Sequence, residues 1–186
     1  MKPRNLLHIG LAAVVLSALF SFNYFEKRFF RKRFLDPNPK GEIYIIVDKS
    51  DYELHIFDQD GWYASYPVVF GSKNQQDKYM EGDKRTPEGN FRIISKRPHE
   101  KWNKMLMLDY PNKESWEKFK ERKAKGLIPK NAKIGGGIAL HGTWPNDNIV
   151  VDDFTNWTNG CVSLKNNDLD EIAQWVNVGT RVTIRR

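Results

Sequence analysis

Trp157-Thr158-Asn159-Gly160-Cys161-Val162-Ser163-Leu164 contains the only cysteine in a chain of 186 residues. A lone cysteine has no disulfide partner within its own chain, and in many settings such a thiol packs as a small hydrophobe. The neighbouring residues favour chemistry. If the run is extended, Val162 and Leu164 point to one side and bury, whereas Asn159, Cys161 and Ser163 point to the other and face a cleft. Gly160 has no Cβ and leaves the backbone amide beside the thiol open to a ligand, where acyl-transfer enzymes stabilise an oxyanion. A free thiol, with a pKa of about 8.5, is only slightly ionised at neutral pH, so a nucleophilic cysteine needs a base or a cation close by. His141, followed by Gly142, is the best candidate base. Of the other histidines, His8 falls in an apolar N-terminal run, His55 in a hairpin and His99 in a basic loop.

Outward from this run the pattern is that of short strands. Ile43 to Val47, Tyr52 to Phe57 and Trp62 to Phe70 are β-branched and aromatic, with turn composition from Asp58 to Gly61, and predict an antiparallel meander. Phe91 to Ser95, Lys104 to Leu108, Gly137 to His141 and Thr180 to Arg185 are further strands between Gly- and Pro-rich loops. Two helices interrupt them. Glu114 to Lys125 places Trp116 and Phe119 on one face of a charged segment, which suits a helix covering a sheet. Leu169, Ile172, Ala173 and Val176 follow helical spacing, with Asn167 or Asp168 as the N-cap and Gly179 ending the segment. The expectation is a mainly β domain with two helices, starting near Glu42 and running to Arg186. Thr86 to Gly89 reads as a structural turn leading into the strand at Phe91.

In chain order, Gly71, Gly82 and Asp83, Thr86-Pro87-Glu88-Gly89 with Phe91, Tyr110-Pro111-Asn112, His141-Gly142 and Thr158-Asn159-Gly160-Cys161 resemble the L,D-transpeptidase catalytic domains of the YkuD family. The resemblance covers residues 42–186. It implies a β-sandwich or barrel-like domain outside the cytoplasm that acts on peptidoglycan stem peptides in cell-wall biogenesis and cell shape, without a cofactor. By the same resemblance, Cys161 attacks the donor peptide to give a thioester, His141 moves the proton, and the amides of Gly160 and Cys161 form the oxyanion hole. Thr158, Asn159, Gly142 and Ser163 are candidates to support that centre; Lys78, Tyr79 and Asp83 are candidates for the donor site, with a solvated loop as an equal reading, and Trp144 and Trp157 are candidates to pack either on the substrate or in the core. The family's usual motif has a histidine before the glycine and an arginine two residues after the cysteine. Asn159 and Ser163 stand there in this chain, so Cys161 loses two cationic neighbours and depends on His141. Three other readings stay open: an L,D-carboxypeptidase of the same fold, a sortase-like transpeptidase, and an inactive wall-binding module. The glycine before Cys161 and the Gly82 to Gly89 block argue against the sortase. Asp152 and Asp153 offer acids for a substrate ammonium, and the four scattered histidines show no metal-ligand spacing.

Charge is concentrated at the start of the chain. Residues 1–35 hold seven of the 30 Lys and Arg and one of the 23 Asp and Glu, so they carry +6 of the net +7. The nearly neutral remainder gives no support to nucleic-acid binding. After a short flank, residues 1–5, the apolar segment 6–25 reads as a membrane anchor or signal segment, its length favouring the anchor, and residues 26–41 form a basic juxtamembrane stretch ending in a Pro-containing linker. Lys27, Arg28, Arg31, Lys32 and Arg33 outnumber Lys2 and Arg4, which by the positive-inside rule keeps the domain in the cytoplasm. The family resemblance requires the opposite, a domain anchored in the cytoplasmic membrane and facing the periplasm.

Overall fold

In the computed structural model, which describes residues 37–186, alternation of side chains decides the first strands. Ile45 and Val47 of β1 (Tyr44–Asp48) and Leu54 and Ile56 of β2 (Glu53–Asp58) are fully buried, while their neighbours are partly exposed. β3 (Gly61–Val69) completes the antiparallel meander. The remaining strands are β4 (Gly89–His99), β5 (Asn103–Leu108), β6 (Ala139–His141), β7 (Val162–Leu164) and β8 (Arg181–Arg185). Their order β1-β2-β3-β7-β6-β5-β4-β8 closes on itself into a barrel, so no strand edge is left open. β1 with β8 and β6 with β7 are parallel, and the other pairs are antiparallel.

β4 runs past both ends of the predicted Phe91 to Ser95 because it serves two partners. Gly89 to Arg92 pair with β8, Ile93 to His99 pair with β5, and the register shifts between Ile93 and Ser95 where the strand changes partner. β6 is shorter than predicted, since Gly137 and Ile138 lie before the paired segment.

α1 (Lys113–Ala124) starts at Asn112, whose side chain accepts from the Ser115 amide at 3.1 Å. It buries Phe119 on the barrel, but Trp116, expected beside it, is 44% exposed and meets Phe119 only at its edge. A short helix absent from the sequence reading, α2 (Ile149–Asp152), lies in the loop between β6 and β7. α3 (Asn166–Trp175) buries Leu169, Ile172 and Ala173 as its spacing predicts, yet begins before the expected cap. The reason is tertiary: the Asn166 amide donates to Asn148 Oδ1 at 2.9 Å, so the cap comes from another loop.

The predicted membrane segment, its flank and residues 26–36 lie outside the described residues. Among the described residues no helix is long and apolar enough to cross a membrane. The linker's last residues are tied to the β2–β3 turn, with the Lys40 amide donating to Asp58 Oδ2 at 3.0 Å.

Candidate active site

The parallel pairing of β6 with β7 assembles the centre. Leu140 lies opposite Val162 and His141 opposite Ser163, so Cys161, the residue just before β7, is diagonal to His141 on the same side of the pair. The predicted alternation holds for Val162 and Leu164, which are buried. It fails upstream, because Thr158 to Gly160 form a turn in place of a strand. The Thr158 hydroxyl donates to the Cys161 carbonyl at 2.8 Å and accepts from the Gly160 amide at 3.1 Å. Gly160 has φ +127°, and a Cβ there would lie 2.7 Å from the Arg85 carbonyl, so both conformation and space demand glycine. Ser163, expected in the cleft, is fully buried, and its hydroxyl donates to the Gly142 carbonyl at 3.4 Å. Asn159 is exposed.

The same Gly142 carbonyl accepts from His141 Nδ1 at 2.7 Å. A carbonyl only accepts, which assigns the hydrogen to Nδ1 and leaves the lone pair on Nε2. The imidazole is 2% exposed and lies between two indoles: Trp102 stacks on it at 4.9 Å, and Trp157 meets it edge-on at 5.3 Å. Burial lowers its pKa from 6.5 to about 4, against the opposing pull of the Gly142 bond and with a small further push from His99. His141 is therefore a neutral base at physiological pH. Burial also raises the Cys161 thiol above its usual value, opposed by the Ala139 amide and by the charge of Lys78. Its Sγ lies 3.5 Å from the Gly137 carbonyl. A neutral thiol beside a neutral imidazole is the resting state, in keeping with the missing cations at positions 159 and 163.

Across from this turn, residues 78–85 form a loop fastened by Asp83. Its carboxylate takes the Lys78 ammonium at 2.7 Å and the amides of Tyr79, Met80 and Arg85 at 2.6, 3.1 and 3.0 Å. Burial disfavours that charge, but these donors outweigh it and hold the carboxyl below the usual range. Asp83 is thus occupied as a clasp, in contrast to its expected place among the substrate ligands. The Tyr79 ring carries the Arg122 guanidinium at 4.3 Å and that of Arg85 at 4.8 Å. Thr86 to Gly89, expected as a turn, is an irregular stretch running into β4: buried Lys49 donates to the Thr86 carbonyl at 3.2 Å and pairs with Glu88 at 2.7 Å. Trp144 is 39% exposed and packs on Trp157 at 3.9 Å between ring centroids. Asp152 pairs with Lys165, and Asp153 is exposed.

Three residues of the site, Trp102, Asn166 and Asn148, escaped the sequence reading. Trp102 is held between His99, stacked at 4.5 Å, and His141. Asn166 accepts from the Thr143 amide at 3.0 Å, and its Oδ1 occupies the space a Cβ on Gly142 would need. Asn148 accepts from the Thr143 hydroxyl at 3.0 Å as well as from Asn166. A pair of indoles around one histidine leaves no periodic mark in the sequence, since Trp102 reaches it through the β5–β6 pairing and Trp157 from the loop before β7.

The family model of the YkuD L,D-transpeptidase catalytic domain matches residues 42–184. The chain belongs to this family. Among YkuD relatives, YqjB of Bacillus subtilis strain 168, an inferred L,D-transpeptidase, is 28% identical over 155 residues, spanning 81% of this chain and 76% of that one. The helical cell shape determining protein Pgp2 of Campylobacter jejuni is 26% identical with a TM-score of 0.56, over 78% of this chain and 48% of that one. Bd1075 of Bdellovibrio bacteriovorus shares the YkuD fold at 22% identity and a TM-score of 0.55, over the same shares of 78% and 48%. This chain therefore spans about half the length of those two solved proteins.

Proposed function

We propose that this chain is a cysteine-dependent L,D-transpeptidase acting on peptidoglycan stem peptides. In this reading Cys161 Sγ attacks the carbonyl of the L-centre, typically diaminopimelate, in a tetrapeptide donor. Its proton passes to His141 Nε2, the C–N bond to the terminal D-alanine breaks, and the same proton leaves on the alanine amine. A thioester remains. An acceptor amine, or water, then attacks the thioester carbon, gives its proton to His141 and releases the thiol. Because both groups rest neutral, proton transfer accompanies attack in place of preceding it. The Gly160 amide is engaged by Thr158, so the oxyanion falls to the Cys161 amide, a donor of the kind worth about 2.7–4 kcal/mol. Segment 6–25 anchors the domain on the outer side of the cytoplasmic membrane.

The observation that carries this reading is the buried, neutral His141, its tautomer fixed by the Gly142 carbonyl, on the same side of the β6–β7 pair as Cys161. Incubating the full-length protein in detergent with disaccharide tetrapeptide, followed by mass analysis, tests it. Loss of one alanine with formation of crosslinked dimers is transpeptidation. Loss without dimers means water is the acceptor, as in a carboxypeptidase. No product and no adduct overturns the enzyme reading and leaves the wall-binding module.

A further inference from the structure

Arg85 stands out among the cations near the nucleophile because it is partly buried and yet has no acid, whereas its neighbour Lys84 is exposed. Lys78 is paired with Asp83, Arg122 with Asp77, Lys118 with Glu114 and Lys49 with Glu88. The Arg85 side chain makes no hydrogen bond or ion pair among the described residues, and its one recorded contact is the Tyr79 ring. Stacking uses the face of a guanidinium and leaves its edge, a planar fork of N–H donors, unused. The residue is only partly exposed.

Its position is fixed from two sides. The Asp83 clasp holds the Arg85 amide at 3.0 Å, and the Arg85 carbonyl lies where a Cβ on Gly160 would fall, 2.7 Å away. Gly160 is the residue before the nucleophile. The Arg85 backbone thus lies against the Cys161 turn, in a segment where Asp77, Asp83 and Glu88 are committed to other donors and the exposed Glu81 makes no ion pair with Arg85.

We propose that Arg85 is a substrate-binding residue whose guanidinium captures a carboxylate of the donor peptide, an inference that rests on the stem-peptide reading above. A stem tetrapeptide offers two carboxylates close to the attacked carbonyl. The terminal D-alanine carboxylate is separated from it by one nitrogen and one Cα, and the second sits on the diaminopimelate side chain. Either matches the fork in two parallel N–H to oxygen bonds. Binding of this kind places the scissile bond over the Cys161 turn and discriminates against donors in which that charge has been masked.

The test uses full-length protein in detergent, as wild type, Arg85→Gln and Arg85→Lys. The donors are a free-acid tetrapeptide, one amidated at the C-terminus and one amidated on the diaminopimelate side chain. Arg85→Gln is expected to raise KM for the free acid about tenfold or more, with kcat within about threefold. Arg85→Lys should fall between them. Amidating the captured carboxylate should raise the wild-type KM equally and add nothing further in Arg85→Gln, and the arm that behaves so identifies the carboxylate. Alkylation of Cys161 by iodoacetamide and the thermal midpoint should not change, which separates a lost contact from a damaged site. An unchanged KM in Arg85→Gln, or equal penalties on all three donors, overturns the proposal and leaves the enzyme reading standing. If wild type forms no product, the enzyme reading fails first. Calorimetry in a Cys161→Ser background then decides on binding alone: free-acid affinity that falls about tenfold or more with Arg85→Gln upholds the carboxylate site, and equal or absent binding rejects it.

Discussion

At the scale of single residues, the proposed chemistry turns on two groups that burial keeps uncharged. The unfolded chain protonates His141 near 6.5 and the folded chain only near 4. Above the first value the buried imidazole is neutral in both states and costs nothing. As pH falls from 6.5 to 4 the unfolded state binds the extra proton, so about 3 kcal/mol of stability is lost across that window. Urea unfolding at pH 7 and at pH 4 should show this loss in wild type, and a His141→Gln variant should lack that share of it. Trp102→Ala opens one face of the ring, and the NMR titration of His141 should then move up toward 6.5. A titration that stays near 4 would remove Trp102 from that role. The thiol titrates the other way. Iodoacetamide labelling should have its midpoint above the ordinary thiol range, and His141→Ala should slow labelling at neutral pH by about tenfold or more. An unchanged profile would take His141 out of the base role.

Among the elements, β6, β7 and the start of α3 form one unit around the loop that joins the histidine to the cysteine. Asn148 and Asn166 connect them, each accepting from the Thr143 segment, and Asn148 also caps α3. Asn148→Ala strands two donors and should cost about 2 kcal/mol in urea unfolding, with turnover falling more than the fraction unfolded explains. Turnover that follows folded fraction alone would make Asn148 purely structural. β1, β2 and α3 were legible because their apolar residues recur at the period of the element that buries them. α2 was not, since four residues hold too few turns to set up a pattern. The start of α3 was misplaced because its cap is a distant asparagine. Cys161 and His141 were legible from residue type and glycine neighbours, whereas Trp102 comes to His141 only through the β5–β6 pairing, with His99 stacked behind it across the β4–β5 hairpin.

For the whole molecule, the 78–89 segment is held from two sides: Lys118 and Arg122 of α1 donate to the carbonyls of Glu88 and Lys78, and Lys49 grips it from the end of β1. Lys49 follows β1, and its buried ammonium joins the carbonyls of Gln76 and Thr86 to Glu88. Burial lowers its pKa, and Glu88 resists that shift. Lys49→Met removes the cation and leaves Glu88 and two carbonyls unmatched, so unfolding free energy should fall by about 3 kcal/mol in a thermal or urea melt. A loss under about 0.5 kcal/mol would mean that Lys49 packs there without fastening the segment. If segment 6–25 anchors the chain as proposed, the family resemblance and the charge count at residues 1–35 give opposite orientations. A reporter active only outside the cytoplasm, fused after Arg186, should give signal, and silence from an intact, expressed fusion would place the domain inside.

The central claim is that Cys161 carries the acyl group with His141 as its base. Intact-protein mass spectrometry of samples quenched shortly after mixing with disaccharide tetrapeptide tests it most directly. The wild type should gain the mass of the donor less one alanine, mapped by digestion to Cys161, and His141→Ala should gain it far more slowly. Cys161→Ala should remain at its own mass and release no D-alanine. Release of D-alanine by Cys161→Ala at the wild-type rate would contradict the account.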